Sequence, residues 1–136
     1  MEIEFTEKEF RRLLDMVYIG NWILNSCREE YDRFEVYDDL EEKLFSLCRE
    51  HGMGSLVQRW EGHDYPSQAF AEGGIHEAIA DYEDAMFYDI LAEELARRDM
   101  YNEDISQNDA EELNSRMEEY FDEFEKNGIE NVKVTP

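Results

Sequence analysis

The stretch that decides the fold is Ile75–Met100, IHEAIADYEDAMFYDILAEELARRDM. No Gly or Pro interrupts it, and as an α-helix it would run roughly 39 Å at about 1.5 Å per residue. Its large apolar residues form two stripes. Ile75, Ile79, Tyr82, Met86 and Ile90 share one face; Phe87, Leu91 and Leu95 share another, rotated about 140° around the helical wheel. A helix apolar on two sides needs neighbours on two sides, so this spacing predicts a central helix. Asp84–Tyr88 is the place where a kink would reconcile the stripes, but it carries no kinking residue.

Working outward, the N-terminal side opens on a helix start. Thr6 with Glu9 three residues later forms a capping box. Phe10, Leu13, Leu14, Val17, Tyr18, Ile23, Leu24 and Cys27 then give a wide apolar surface, with Trp22 at its margin. Gly20 inside the helix costs about 1 kcal/mol against Ala, which a close helix crossing would explain. The pairs Glu4–Lys8, Glu7–Arg11 and Arg11–Asp15 support the solvated side. The helical pattern weakens from Arg28 to Tyr37. Asp38 with Glu41 looks like a fresh cap, followed by a stripe of Leu40, Leu44, Leu47 and Cys48. Gly52 suits the end of that helix, with His51 at its negative pole. A short helix is expected from Ser55 to Trp60, and EGHDYPSQAFAEGG (61–74), rich in Gly and Pro, reads as the main loop.

On the C-terminal side, Asn108 or Ser106 can cap a last helix that Gly128 ends. Ala110, Leu113, Met117, Tyr120, Phe121 and Phe124 occupy an arc about 100° wide, the width of a core-facing stripe. The tail IENVKVTP alternates weakly and is expected to be extended. The expected fold is therefore all-α: one domain, 1–136, of four main helices plus one short helix around the 75–100 helix. A length of 136 residues fits one domain, and 42% hydrophobic content argues for a packed core despite the charge.

Charge is the extreme feature. There are 36 acids against 13 bases, a net charge of −23. Residues 1–60 carry 14 acids and 8 bases; residues 61–136 carry 22 acids and 5 bases. A field of this sign repels nucleic acid and anionic lipid and attracts basic partners. No apolar run reaches the ~20 residues of a membrane span, and the acidic start MEIEFTEKEF lacks a signal-peptide layout. Cys27 and Cys48 lie on apolar helical faces and read as buried reduced thiols of a cytoplasmic protein.

Chemical motifs are sparse. None of His51, His63 and His76 has a Glu three residues before it, which argues against a carboxylate-bridged di-iron bundle. His63, Asp64, Glu72 and His76 bracket the main loop and are the weak candidates for a divalent ion, without a familiar spacing. There is no Gly-x-Ser-x-Gly elbow and no phosphate-cradling loop. The residues thus imply no cofactor and favour a binding protein over an enzyme.

The acids of the last helix are the remaining clue. Glu111, Glu112, Glu118, Glu119, Asp122 and Glu123 lie off its apolar stripe, with like charges four apart at Glu118–Asp122 and Glu119–Glu123. They mark a candidate face for a basic protein partner. Two alternatives stand beside it: a metal-binding protein or enzyme using the 61–76 loop, and an acidic surface serving only solubility or salt adaptation. The segments LLDMVYIGNWILN (13–25), DILAEELARRD (89–99) and EYFDEFEKNGIENVKV (119–134) resemble a family of small acidic bacterial proteins without assigned activity. That resemblance implies a helical, cytoplasmic fold and transfers no site residues. By charge alone, the chain is similar to phage DNA-mimic anti-restriction proteins and to immunity proteins that block basic nuclease toxins.

Overall fold

The computed structural model describes residues 1–135, and it is mostly α-helical. Four main helices are present: α1 (Glu7–Asn25), α2 (Glu35–Ser46), α4 (His76–Asn102) and α5 (Ala110–Asn127). Between α2 and α4 the chain forms a small hairpin of β1 (Val57–Trp60) and β2 (His63–Pro66), then the single turn α3 (Gln68–Phe70). No helix among the described residues is long and apolar enough to cross a membrane. By its contacts the chain divides into two compact units, Met1–Ile79 and Ala80–Pro136.

The first unit starts at the expected capping box. Thr6 Oγ1 accepts from the Glu9 N–H at 3.2 Å, and the Glu9 carboxylate accepts from the Thr6 N–H at 3.3 Å. Its core is Leu14, Phe45, Cys48, Val57, Phe70 and Ile75, with Phe10, Tyr18, Ile19, Leu44, Met53 and Leu56 packed around them. Phe70 is fully buried; its ring meets Phe45 edge-on at 4.9 Å and Tyr18 at 5.2 Å, and the Arg11 guanidinium lies 4.6 Å from its centroid.

The region expected to be a short helix and a loop is where the fold departs most from the sequence reading. Ser55 belongs to a 3-10 turn, Gly54–Leu56, and Val57–Trp60 is a strand. The antiparallel register pairs Val57 with Pro66 and Trp60 with His63, leaving Glu61-Gly62 as the turn. Both turn residues have positive φ (49° and 81°), the mirror-image turn whose twist matches a tight hairpin. At Gly74, φ is 107°, which separates the turn after α3 from α4; a side chain there would be strained although nothing crowds it.

Other expectations are corrected in the first unit. α2 begins at Glu35, not at Asp38, because a buried Asn25 side chain holds Phe34 and fixes the entry. Gly20 faces open space, with nothing within 4 Å of where a Cβ would stand, so no close crossing explains it. α1 ends at Asn25, which leaves Cys27 beyond the helix and exposed, whereas Cys48 is buried. Brief treatment of native protein with a bulky thiol reagent should therefore modify Cys27 and spare Cys48. Modification of both at similar rates would show that the 3-10 turn Leu47–His51, which buries Cys48 after α2, opens readily.

In the second unit, Ala96, Met100 and Leu113 form a buried cluster with Ile105, Met117 and Tyr120 against it. Asp109, one residue after the expected Asn108, caps α5: its carboxylate accepts from the Glu112 N–H at 3.1 Å. Gly128 ends the helix as expected. The stripes expected on α4 are only partly buried. Ile75, just before α4, and Ile79 in its first turn are buried, but Tyr82, Phe87 and Ile90 are exposed at 60%, 49% and 59%. The line that packs further on is Ala92, Ala96 and Met100. The tail 129–135 forms no strand pair, and Pro136, its last residue, lies outside the described residues.

Candidate functional site

The acidic face of α5 is built by the same periodicity that builds its core. Leu113 and Phe124 point inward and are buried. Glu111, Glu118, Glu119, Asp122 and Glu125, on the other side, are exposed, and Glu112 and Glu123 are half-buried at the margin. What distinguishes this face is the disposition of the bases. The second unit has 18 acids and 5 bases, and its three arginines are committed internally. Arg97 holds Glu93 at 2.9 Å, Arg98 holds Asp99 at 2.8 Å, and Arg116 bridges Glu112 and Glu103. The Arg116 bond keeps the Glu103 carboxyl below its ordinary pKa. No ion pair among the described residues reaches Glu111, Glu118, Glu119, Asp122 or Glu125.

Behind that face lies a cleft of about 470 Å³ lined by Asp99, Glu112, Ser115, Arg116, Glu119 and Tyr120, with Glu123 at its edge. The Tyr120 hydroxyl donates to Asp99. Burial, then this bond, raises the tyrosine pKa. Burial alone would raise Asp99, but the Tyr120 and Arg98 hydrogen bonds outweigh it and hold the carboxyl below its usual value. The cleft floor is thus a locked polar network, with exposed Glu119 on its wall, and Glu118 and Asp122 are exposed and not part of its lining. Glu123 differs from its neighbours: it accepts from Asn131 at 2.7 Å and Asn127 at 3.2 Å and so steadies the chain after α5.

The four residues bracketing 61–76 do not converge. His63 Nδ1 lies 3.1 Å from Glu42, and Glu42 also accepts from the Asp64 N–H. Asp64 is buried and takes Arg49 Nη1 at 2.6 Å. Glu72 accepts from Gln68, one turn earlier. His76 Nε2 is 2.7 Å from the Tyr18 hydroxyl. No group of three or more His, Cys, Asp or Glu side chains among the described residues is arranged to hold a metal ion.

A second polar assembly, which charge and motif reading passed over, joins α1 to α2. Asn25 Nδ2 donates to Asn21 Oδ1 at 2.6 Å and to the Phe34 carbonyl at 3.2 Å, and its Oδ1 accepts from the Phe34 N–H at 2.8 Å. Asn21 Nδ2 donates onward to Asp38 and Glu41, at 3.0 and 3.1 Å. Arg33 binds Asp38 in two-pronged fashion at 2.5 and 2.8 Å and, more than any other group, pulls that carboxyl below its ordinary pKa. Burial pushes Glu41 the other way, and Tyr18 is raised by burial and by the Glu41 charge. The signal in the sequence is Asn21 and Asn25, four apart on a helix face that otherwise reads apolar.

The chain matches no protein-family model, no curated protein and no solved structure.

Proposed function

We propose that this protein is a non-enzymatic binding protein whose α5 face docks a basic protein partner. The observation that carries the reading is the set Glu111, Glu118, Glu119, Asp122 and Glu125, none of which is in an ion pair among the described residues, while Arg97, Arg98 and Arg116 are engaged with other acids. Like charges at Glu118–Asp122 lower helix stability by roughly 0.2–0.5 kcal/mol per pair, so the arrangement works against the fold and is explained by a use outside it. Apposed basic charge would steer association and set register more than it would raise affinity. Exposure of these acids fits rim-like electrostatic docking rather than chemistry on a bound substrate.

The test uses Glu118→Gln, Glu119→Gln and Asp122→Asn together. Leu113, Met117 and Phe124 are untouched, so thermal stability should hold or rise by a few tenths to ~1 kcal/mol. Immobilised wild-type chain should retain a basic protein from native lysate at low salt and release it in a salt step. With that protein in hand, the triple variant should associate about tenfold more slowly and with a shallower salt dependence. Association as fast as wild type by a more stable variant would leave the acidity as a solubility feature and overturn the reading. A clearly destabilised variant would show that these acids hold the fold.

A further inference from the structure

The cavity beside the Asn21–Asn25 network, about 310 Å³, has Tyr18, Trp22, Arg33 and Glu41 among its walls. We propose that it binds an organic monocation of the alkylammonium or alkylguanidinium class, its charged head on Glu41 and its stem against Tyr18 and Trp22. The site belongs to the first unit and stands independently of the docking reading.

Three features of the walls select a cation. The first is Glu41. Its Oε2 accepts from Asn21 at 3.1 Å, its Oε1 takes no hydrogen bond from the described residues, and none of their bases pairs with it. Arg33, the nearest cation on the wall, directs both Nε and Nη2 at Asp38 and is neutralised there. An anion entering the cavity would meet the free Glu41 charge; a cation would supply the counter-charge that this half-buried carboxylate lacks.

The second feature is aromatic. Tyr18 and Trp22 are one helical turn apart, with centroids 6.1 Å apart and planes inclined by 29°. Electron-rich faces attract ammonium and guanidinium groups, and Arg28 already sits 3.9 Å from the Phe34 ring in the same unit. The third is rigidity. His76 bonds the Tyr18 hydroxyl at 2.7 Å and meets the Trp22 ring edge-on at 4.9 Å, so both rings are fixed before a ligand arrives. A pre-formed site loses little freedom on binding. The volume falls at the small end of ligand pockets, suited to a head group with a short stem.

The experiment takes the full chain carrying Trp60→Phe, so that Trp22 alone fluoresces, and titrates butylguanidinium, butylammonium and neutral butylurea at physiological salt. Saturable quenching by the two cations and none by butylurea is expected. Glu41→Gln, whose amide oxygen still accepts from Asn21 and which removes a half-buried charge, should keep the thermal midpoint and weaken the cations at least tenfold. Trp22→Leu, followed by calorimetry, should weaken them at least threefold. A Gly-Arg-Gly amide that binds tenfold tighter than butylguanidinium would assign the head group to a partner's side chain. Equal affinity would assign it to a free cation, and both results uphold cation recognition. Equal binding of butylurea, a linear non-saturating response, or undiminished binding by both variants would overturn the proposal.

Discussion

Replacing Phe70 by alanine is expected to destabilise the first unit by roughly 3–5 kcal/mol, the range for emptying a fully buried aromatic site. Phe70 has no exposed surface and ties α3 to two other elements: its ring is packed on Phe45 of α2, and on Tyr18 and under the Arg11 guanidinium of α1. Truncation loses the transfer energy of the ring, leaves a void that the surrounding elements fill only in part, and removes two aromatic contacts worth about 0.5–1.5 kcal/mol each. Ser67 caps the α3 turn that carries Phe70, its Oγ accepting from the Phe70 N–H at 3.2 Å, so the backbone remains anchored when the ring is gone. Both tryptophans, Trp22 and Trp60, lie in Met1–Ile79, so their fluorescence in urea follows this unit. The midpoint should fall steeply with little change in slope. A loss below about 1 kcal/mol would mean that Phe70 is not the keystone its contacts describe.

That Phe70 sits in a stretch expected to be a loop shows where sequence reading reaches its limit. Periodicity worked where a helix buries one wide stripe of large residues. On α5, Leu113 and Phe124 are buried and Met117 and Tyr120 pack beside Leu113, and the acids fall on the opposite side as expected. It failed where burial relies on small or polar side chains. Ala92 and Ala96 carry the packing of the later part of α4, yet alanine contributes little to an apolar stripe, so Tyr82 and Ile90 outweighed them in the pattern and proved exposed. Of the stripe expected at Leu40, Leu44, Leu47 and Cys48, Cys48 is buried and Leu44 packs on the core, but Phe45 takes the central place instead of Leu40 and Leu47. Phe45 and Cys48 are buried, while Leu40 and Leu47 are more than a third exposed.

The hairpin was hidden for a different reason. Its strands are four residues each, too short for alternation to stand out, and Glu61 at φ 49° is an unusual residue for the first place of such a turn. The acidic face was legible because charge needs no tertiary partner to be seen. The Tyr18–Trp22–Glu41 cavity was not, because its residues come from two helices and His76 from a third, brought together only by long-range packing.

The second large effect is expected at Asn25, where Asn25→Ala should cost about 2–4 kcal/mol although it removes only a polar group. Asn25 is 1% exposed and sits at the last position of α1. Its amide completes both backbone groups of Phe34, the residue before α2, and also the Asn21 oxygen. Alanine leaves the Phe34 N–H and the Asn21 oxygen without that partner at a part-buried junction, while the Phe34 carbonyl keeps only the Tyr37 N–H, and an unmade bond there costs more than the net worth of the bonds themselves. Asn25→Asp separates this account from a simple volume effect, because the two side chains are nearly the same size. The introduced carboxyl can still accept from Phe34 N–H, but when ionised it faces the Phe34 carbonyl and the Asn21 oxygen with no proton to give. Only its neutral form donates, so its folded pKa should be raised above the unfolded one. Its favourable contribution is then present at low pH and lost as pH rises through the folded pKa. Thermal melts should find Asn25→Asp at least as damaged as Asn25→Ala at pH 7 and measurably less damaged, relative to wild type, near pH 4. Equal deficits for the aspartate variant at both pH values would show that Phe34 does not depend on the Asn25 proton donor. The entry to α2 would then rest on the two-pronged Arg33–Asp38 bond instead.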